Sequence, residues 1–370
     1  MKYERVTRRV TGLKRYSVRI VAATLAVVVA GVAVFNAVTA LPYKRGLTAV
    51  ALPSSDAVFG AYLGPAAKGA NGLLAWQQFS LTAAPYALDF SAGDSWESIT
   101  GPEWMLKPWQ RSGRRLIYSL AMFPHQPADA PAVSELRLSQ CATGAFDLRW
   151  VELGRNLMGR GMSRTILRPG WEFDGSWYPW AAHGRKQSYV NCFRRIVTAM
   201  RSIPGQKFQF LWNPAGGVNQ FAAEEAYPGD GYVNFVGVDV YDVSWASNTY
   251  PVPAGASEAD RQARSATVWS NKLNGRSGLR FWADFAAAHG KRLVIPEWGL
   301  SKRLDGRGGG DNPEFVANMI QFIQDPRNGV AFALYFDADS AHGDLHRLSS
   351  PTSPFPKSRD RFRRMMERVL

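Results

Sequence analysis

The sequence predicts an α/β protein, a single (β/α)8 TIM barrel preceded by one N-terminal transmembrane helix. Three observations in the 370 residues lead there. Eight short apolar runs with strand character alternate with stretches whose apolar residues recur at helical spacing. Connections leading into those runs are short, whereas most leading out are long, as in a barrel whose site lies at one end. Near the N terminus, one uncharged stretch is long enough to cross a bilayer.

The N-terminal region comes first. Residues 1–19 carry Lys2, Arg5, Arg8, Arg9, Lys14, Arg15 and Arg19 against Glu4, so +6 of the formal net charge of +14 precedes the apolar stretch. Residues 20–40 hold no charge, and only Thr24, Asn36 and Thr39 are clearly polar. A basic flank stays on the cytoplasmic side, which places everything after residue 41 in the periplasm or outside the cell. Val38, Thr39 and Ala40 also read as a cleavage site, and cleavage would make the body secreted. Apolar cores of cleaved signals usually run about 7–15 residues, so the uncleaved anchor is the stronger reading. Residues 41–55, with Pro42 and Pro53, read as a tether, and 56–370 as the barrel domain. Cys141 and Cys192 are the only cysteines, and the sequence leaves open one disulfide in an oxidising compartment or two separate buried thiols.

The strand-like runs are 58–63, 86–90, 116–122, 165–167, 208–212, 233–241, 293–295 and 330–336. Between them, Phe146, Trp150, Leu153 and Leu157 fall at helical spacing, as do Tyr189, Val190, Phe193, Ile196, Val197 and Met200. Phe315, Val316, Met319, Phe322 and Ile323 repeat the pattern. Gly159 and Gly290 sit where two helices should end. Stretches 244–278, 300–313 and 337–357, rich in Gly, Pro, Ser and Asn, read as long loops shaping a cleft. The basic segment 357–368 places Phe362, Met365 and Met366 at helical spacing and reads as a last helix packed on the barrel.

The chemistry concentrates in two places. Glu172 lies a few residues past the fourth run and Glu297 two past the seventh, each beside tryptophans. In a closed barrel those ends face one another. Two carboxyl groups about 5–5.5 Å apart would permit a retaining double displacement on a glycosidic bond. Glu172 would be the acid/base, its pKa raised by Trp171, Phe173 and Trp177, while Glu297 would be the nucleophile. Arg168 and Tyr241 are the candidates to keep Glu297 ionised. Trp171, Trp177, Trp180 and Trp298 are candidate sugar-stacking rings, with about half expected to face core instead. Asn213 is a candidate substrate contact, and Asp239 a structural hydrogen-bonding group.

These residues carry a resemblance. Gly60 to Gly64, Arg168-Pro169 with Glu172 and Trp177, Trp212-Asn213-Pro214, Tyr227 to Asn234 with Val236 to Tyr241, and Pro296 to Gly299 together resemble glycoside hydrolase family 26, over roughly 60–336. The resemblance implies a clan A barrel acting mostly on β-mannans, with others on β-1,3-xylan or mixed-linkage β-glucan. It implies Glu172 as acid/base, Glu297 as nucleophile, Tyr241 as the nucleophile's hydrogen-bond donor and Trp177 as a cleft aromatic. The mannanase branch commonly has His just before the acid/base and Asn two residues after it. Here Trp171 and Asp174 stand at those positions, which puts Asp174 near the sugar being cleaved and speaks against plain mannan specificity.

Other signals in the sequence point to no further chemistry. The basic balance suits an acidic polysaccharide or anionic lipid, but no helix-turn-helix, zinc-finger or RNA-binding signature accompanies it, so nucleic acid is not an expected partner. Gly306 to Gly310 lacks the ending of a phosphate loop, His342 and His346 lack the glutamate of a zinc-protease helix, and no serine-hydrolase elbow is present. No metal or organic cofactor is expected. The partners are a polysaccharide and, through the N-terminal helix, the membrane; oligomeric state has no signal. The combined reading is a retaining endo-β-glycanase on the outer side of the cytoplasmic membrane. The competing readings are a non-catalytic glycan-binding barrel and a clan A endoglucanase of another family.

Overall fold

The computed structural model describes residues 57–368 apart from Val218 and Ala341. The expected cytoplasmic segment 1–19, transmembrane helix 20–40 and tether 41–55 lie outside the described residues. Among the described residues, no helix is long and apolar enough to cross a membrane.

Strands β1 (Val58–Tyr62), β2 (Tyr86–Phe90), β3 (Arg115–Leu120), β4 (Ile166–Pro169), β5 (Gln209–Trp212), β6 (Phe235–Gly237), β7 (Val240–Tyr241), β8 (Arg292–Gly299) and β9 (Val330–Phe336) form one parallel sheet. Pairing of β6 with β8 and of β9 with β1 closes it into a barrel, in which β6 and β7 together occupy the sixth position. Between β6 and β7, Asp239 forms a separate parallel bridge with Ala215 past the end of β5, its carbonyl accepting from Gly216 N–H at 2.9 Å. The helices packed around the barrel are α1 (Ala66–Ser80), α2 (Trp96–Ile99), α3 (Glu103–Ser112), α4 (Pro131–Ala142), α5 (Asp147–Gly159), α6 (Lys186–Arg201), α7 (Glu258–Asn274), α8 (Leu279–Ala288), α9 (Pro313–Gln324) and α10 (Pro356–Met366).

Strand alternation sets what points where. One set of side chains, including Leu88, Ile117, Ile166, Leu211, Val294, Phe332 and Leu334, fills the barrel interior. The alternate set, including Phe59, Ala87, Leu116, Leu167, Phe210, Trp212, Leu293 and Ile295, packs on the helices. Two steps along from the interior aliphatic layer, the same inward phase becomes polar at Ser119, Arg168, Asn213 and Asp239. That change from aliphatic to polar marks the end of the barrel that carries the site.

Some sequence expectations shift. Gly159 is the last residue of α5 rather than its terminator, and Gly161 takes the left-handed position at φ 70°; Gly290, at φ 64°, follows α8 as expected. The stretch 244–278 is not all loop. It holds α7, capped by Ser257, whose hydroxyl accepts from Asp260 N–H. Only Val268 of α7 is buried, so the helix has almost no apolar stripe to reveal it in the sequence. Cys141 and Cys192 form a disulfide joining α4 to α6.

Candidate active site

Glu297 reaches the barrel interior through an irregularity in β8. Leu293 and Ile295 pack outward while Val294 points in, so strict alternation would send Glu297 outward. The register between β8 and β9 slips between Ile295 and Trp298, beside Pro296, which has no N–H for the ladder. A bulge of this kind re-aims the following side chains. Glu297 therefore turns inward and Trp298 outward. Trp298 is completely buried against Tyr335 and Phe362, so its expected role as a sugar platform is replaced by a core role.

Glu297 is held on both oxygens. Arg168 Nη1 donates to Oε1 at 2.6 Å, and Tyr241 O–H donates to Oε2 at 2.8 Å. Arg168 is wholly buried; it also donates to Ser119 Oγ at 3.0 Å and pairs with Asp239. Burial opposes its charge, but the Asp239 and Glu297 carboxylates outweigh that and raise its pKa further. Burial pushes Asp239 well above the ordinary carboxylate range, with Arg168 pulling it back. Asn213 donates to Asp239 at 2.9 Å. Burial, with the nearby Glu297 charge, keeps Tyr241 a protonated donor.

Glu172 is supported differently. Past β4 the chain turns through Gly170, at φ 56°, where a Cβ would fall 2.4 Å from Met122 Sδ. The turn is pinned on both flanks, Gly170 N–H donating to Leu120 and Glu172 N–H to Asn213 at 2.8 Å. Glu172 itself adopts φ 51°, a left-handed backbone that costs a side-chain-bearing residue about 1–3 kcal/mol. Its half-buried carboxylate accepts one hydrogen bond, from Trp177 Nε1 at 2.8 Å. Burial and then the Glu297 charge push its pKa from 4.5 up to about 8, against a smaller opposing pull from Arg168. Glu172 is thus an acid near neutrality, facing the site of Glu297.

The tryptophans and the remaining candidates divide. Trp177 is 53 % exposed, and its indole N–H holds Glu172. Trp180 is 1 % exposed, donates to the Trp171 carbonyl at 2.8 Å and stacks on Tyr178, so it supports the wall rather than forming its surface. Trp171 is also buried, edge-on to Phe90 and close to the Arg168 guanidinium. Asp174 is turned away from the cleft. Its buried carboxylate accepts from Ala215 N–H at 2.8 Å and Asn219 Nδ2 at 2.7 Å, so it anchors the loop after β5 instead of touching substrate. Asn213 is fully buried against Gly237 and Asp239, which makes it a positioning group for Asp239 and Glu172. Asp239 takes the structural part expected of it.

Four further residues lie near the site, of which Tyr62 and Phe336 were not singled out from the sequence and His346 was considered only as a metal ligand. Tyr62 and Phe336 pack together at the ends of β1 and β9, 4.7 Å between ring centres. Tyr178 stacks on the buried wall, its phenol pushed upward by burial and then by Glu172. His346 packs on Tyr241 and, through Nδ1, donates to the Leu300 carbonyl at 2.8 Å. Burial lowers its pKa, so the ring is neutral near pH 7. Tyr62 shares the inward phase of Gly60 and was in principle legible; His346 lies in an aperiodic loop and was not.

Comparison with known proteins follows the same lines. Residues 154–252 match Glycosyl hydrolase family 26. A mannan endo-1,4-beta-mannosidase of Bifidobacterium adolescentis is 24 % identical over 186 residues, 48 % of this chain and 17 % of the relative. Endoglucanase H of Acetivibrio thermocellus is 31 % identical over 94 residues, 22 % of this chain and 10 % of the relative. The chain thus spans less than a fifth of the length of these two relatives. Among solved structures, the modular endo-beta-1,4-mannanase from Cellulomonas fimi superposes with a TM-score of 0.55 at 18 % identity, covering 83 % of this chain and 70 % of the other. The catalytic domain of a Bacillus sp. JAMB-750 endo-beta-1,4-mannanase gives 0.52 at 13 % identity, covering 84 % and 85 %. These likenesses bear on the fold, and the sequence match covers β4 to β7 with Arg168, Glu172, Asp239 and Tyr241. The described residues form a (β/α)8 barrel whose segment 154–252 is similar to Glycosyl hydrolase family 26.

Proposed function

We propose that the protein is a retaining endo-β-glycanase, with Glu172 as acid/base and Glu297 as nucleophile. The observation that carries this is the contrast between two carboxylates sharing one site. Glu297 has a charged donor and a phenol on its oxygens. Glu172 has one indole N–H and a pKa pushed up to about 8. A double displacement requires that division. A Glu297 oxygen attacks the anomeric carbon as Glu172 gives its proton to the departing glycosidic oxygen. Glu172, now ionised, then takes a proton from water as that water attacks the anomeric carbon and expels the Glu297 carboxylate.

The substrate class follows from the cleft and the relatives together. An exposed Trp177 beside the acid/base offers a face to a pyranose ring. The named relatives include a mannan endo-1,4-beta-mannosidase and an endoglucanase, which supports a β-linked hexose backbone for this chain. Trp171 and Asp174 bear on the choice between them, because both are committed to the wall and loop around Glu172. The uncharged segment 20–40 with its basic flank supports a position on the outer side of the cytoplasmic membrane, which fractionation of cells and medium tests.

The test is hydrolysis by the full chain on β-mannan, mixed-linkage glucan, cellulose, β-1,3-xylan and envelope polysaccharides, beside Glu172→Gln and Glu297→Gln. Cleavage lost in both variants, with the product's anomeric configuration retained by NMR, is expected. Binding without cleavage of any glycan would leave the non-catalytic barrel instead.

A further inference from the structure

A second exposed tryptophan stands on the nucleophile's side of the barrel end. Trp245 follows Tyr241 by four residues, so its Cα lies within about 14 Å of the tyrosine's along the chain. It is 61 % exposed. The Arg303 guanidinium covers its ring at 5.5 Å from the centroid. Arg303 in turn follows Gly299, the last residue of the strand that carries Glu297, by four residues.

The cation beneath the ring is fixed. Arg303 donates from Nε and Nη2 to the two oxygens of Asp305, at 3.0 and 2.9 Å, and from Nη1 to Asp344 at 2.6 Å. Backbone bridges lock the same loops. Lys302 pairs with Leu345, and Val243 with Gly308. Three strand-to-helix loops, those after β7, β8 and β9, therefore converge under one indole. Exposure alone does not mark a site, since Trp104 on α3 is 57 % exposed. Trp245 is propped by a planar cation held between two carboxylates, and most of its surface remains open to solvent.

We infer that Trp245, propped by Arg303, is a distal subsite that stacks a pyranose ring of the bound glycan a few sugar residues from the scissile bond. This rests on the glycanase reading and extends it. Stacking uses the C–H groups of a sugar face and makes few hydroxyl-specific hydrogen bonds, so the subsite would contribute length dependence more than sugar selectivity.

The experiment is binding of β-1,4-linked manno- and gluco-oligosaccharides of increasing length to the full chain carrying Glu297→Gln, with and without Trp245→Ala. Affinity should rise with length and then level off. Trp245→Ala should weaken the longest ligands about tenfold and leave the shortest unaffected. Trp245→Phe should restore part of the loss, and Arg303→Met should produce a smaller one. Circular dichroism checks that each variant is folded. Equal affinity for long ligands with and without Trp245 would overturn the subsite while leaving the glycanase reading intact. Trp245-dependent binding by a protein whose native form cleaves nothing would sink the glycanase reading and keep the platform. No binding at any length would overturn both.

Discussion

The two halves of the site are built on opposite principles. On the Glu297 side, the carboxylate emerges from a strand, and Arg168, Asp239 and Tyr241 lock it from within the barrel. On the Glu172 side, the carboxylate sits on a turn after its strand, in a left-handed backbone, with one indole partner. One glutamate has its charge satisfied and the other has its charge penalised. The difference lies in what surrounds each residue and not in the residue type. Two identical side chains are held differently: Arg168 hydrogen-bonds only Glu297, while burial, and then the Glu297 charge, raises the pKa of Glu172.

That contrast can be broken from either end. The largest expected effect is from Glu297→Gln, which removes the attacking oxygen and should lower kcat on glycan by more than about a thousandfold. Glu172→Gln should cost about 10²- to 10⁴-fold on glycan. It should cost far less in the first step with an aryl glycoside whose leaving group needs no proton, so that a burst of aryl alcohol precedes slow turnover. Arg168→Met leaves both Asp239 and Glu297 without their buried cation. It should destabilise the fold by about 3–5 kcal/mol in denaturant unfolding as well as abolish activity.

The pH dependence sharpens the comparison. Glu172 must carry a proton to act first, so kcat/KM should fall as pH rises through about 8. Stability should move with it. The folded state raises the Glu172 pKa above the ordinary 4.5, so it binds that proton more tightly than the unfolded chain. The resulting contribution is full below pH 4.5 and is lost as pH rises through about 8. Glu172→Gln removes this dependence, and its melting temperature should exceed that of the native protein at alkaline pH. The smallest effect separates the tryptophans. Trp177→Ala should raise KM, whereas Trp298→Phe, made in the core, should lower the melting temperature and leave KM alone.

How much of this was legible in the sequence depended on whether alternation held. The barrel, Arg168 and Tyr241 were readable because strand periodicity and loop lengths reflect burial directly, and runs 86–90 and 330–336 coincide with β2 and β9. Which of the four tryptophans face core was not legible: Trp298 does so because a bulge beside Pro296 inverts the phase of β8, and a bulge has no periodic signature. Asp174 was misassigned for another reason. A carboxylate two residues from a candidate acid reads as chemistry, and only the fold reveals that Ala215 and Asn219 wait for it. The strain at Glu172 was likewise invisible, since any residue type can be forced into that conformation by its neighbours.

The most direct test of the central claim is intact-protein mass spectrometry of the full chain after incubation with an activated 2-deoxy-2-fluoroglycoside of the sugar that the hydrolysis panel identifies. The account predicts a single glycosyl adduct, mapped by peptide sequencing to Glu297 and absent from Glu297→Gln. Glycan hydrolysis with inverted product configuration and no adduct, or an adduct on Glu172, would contradict it.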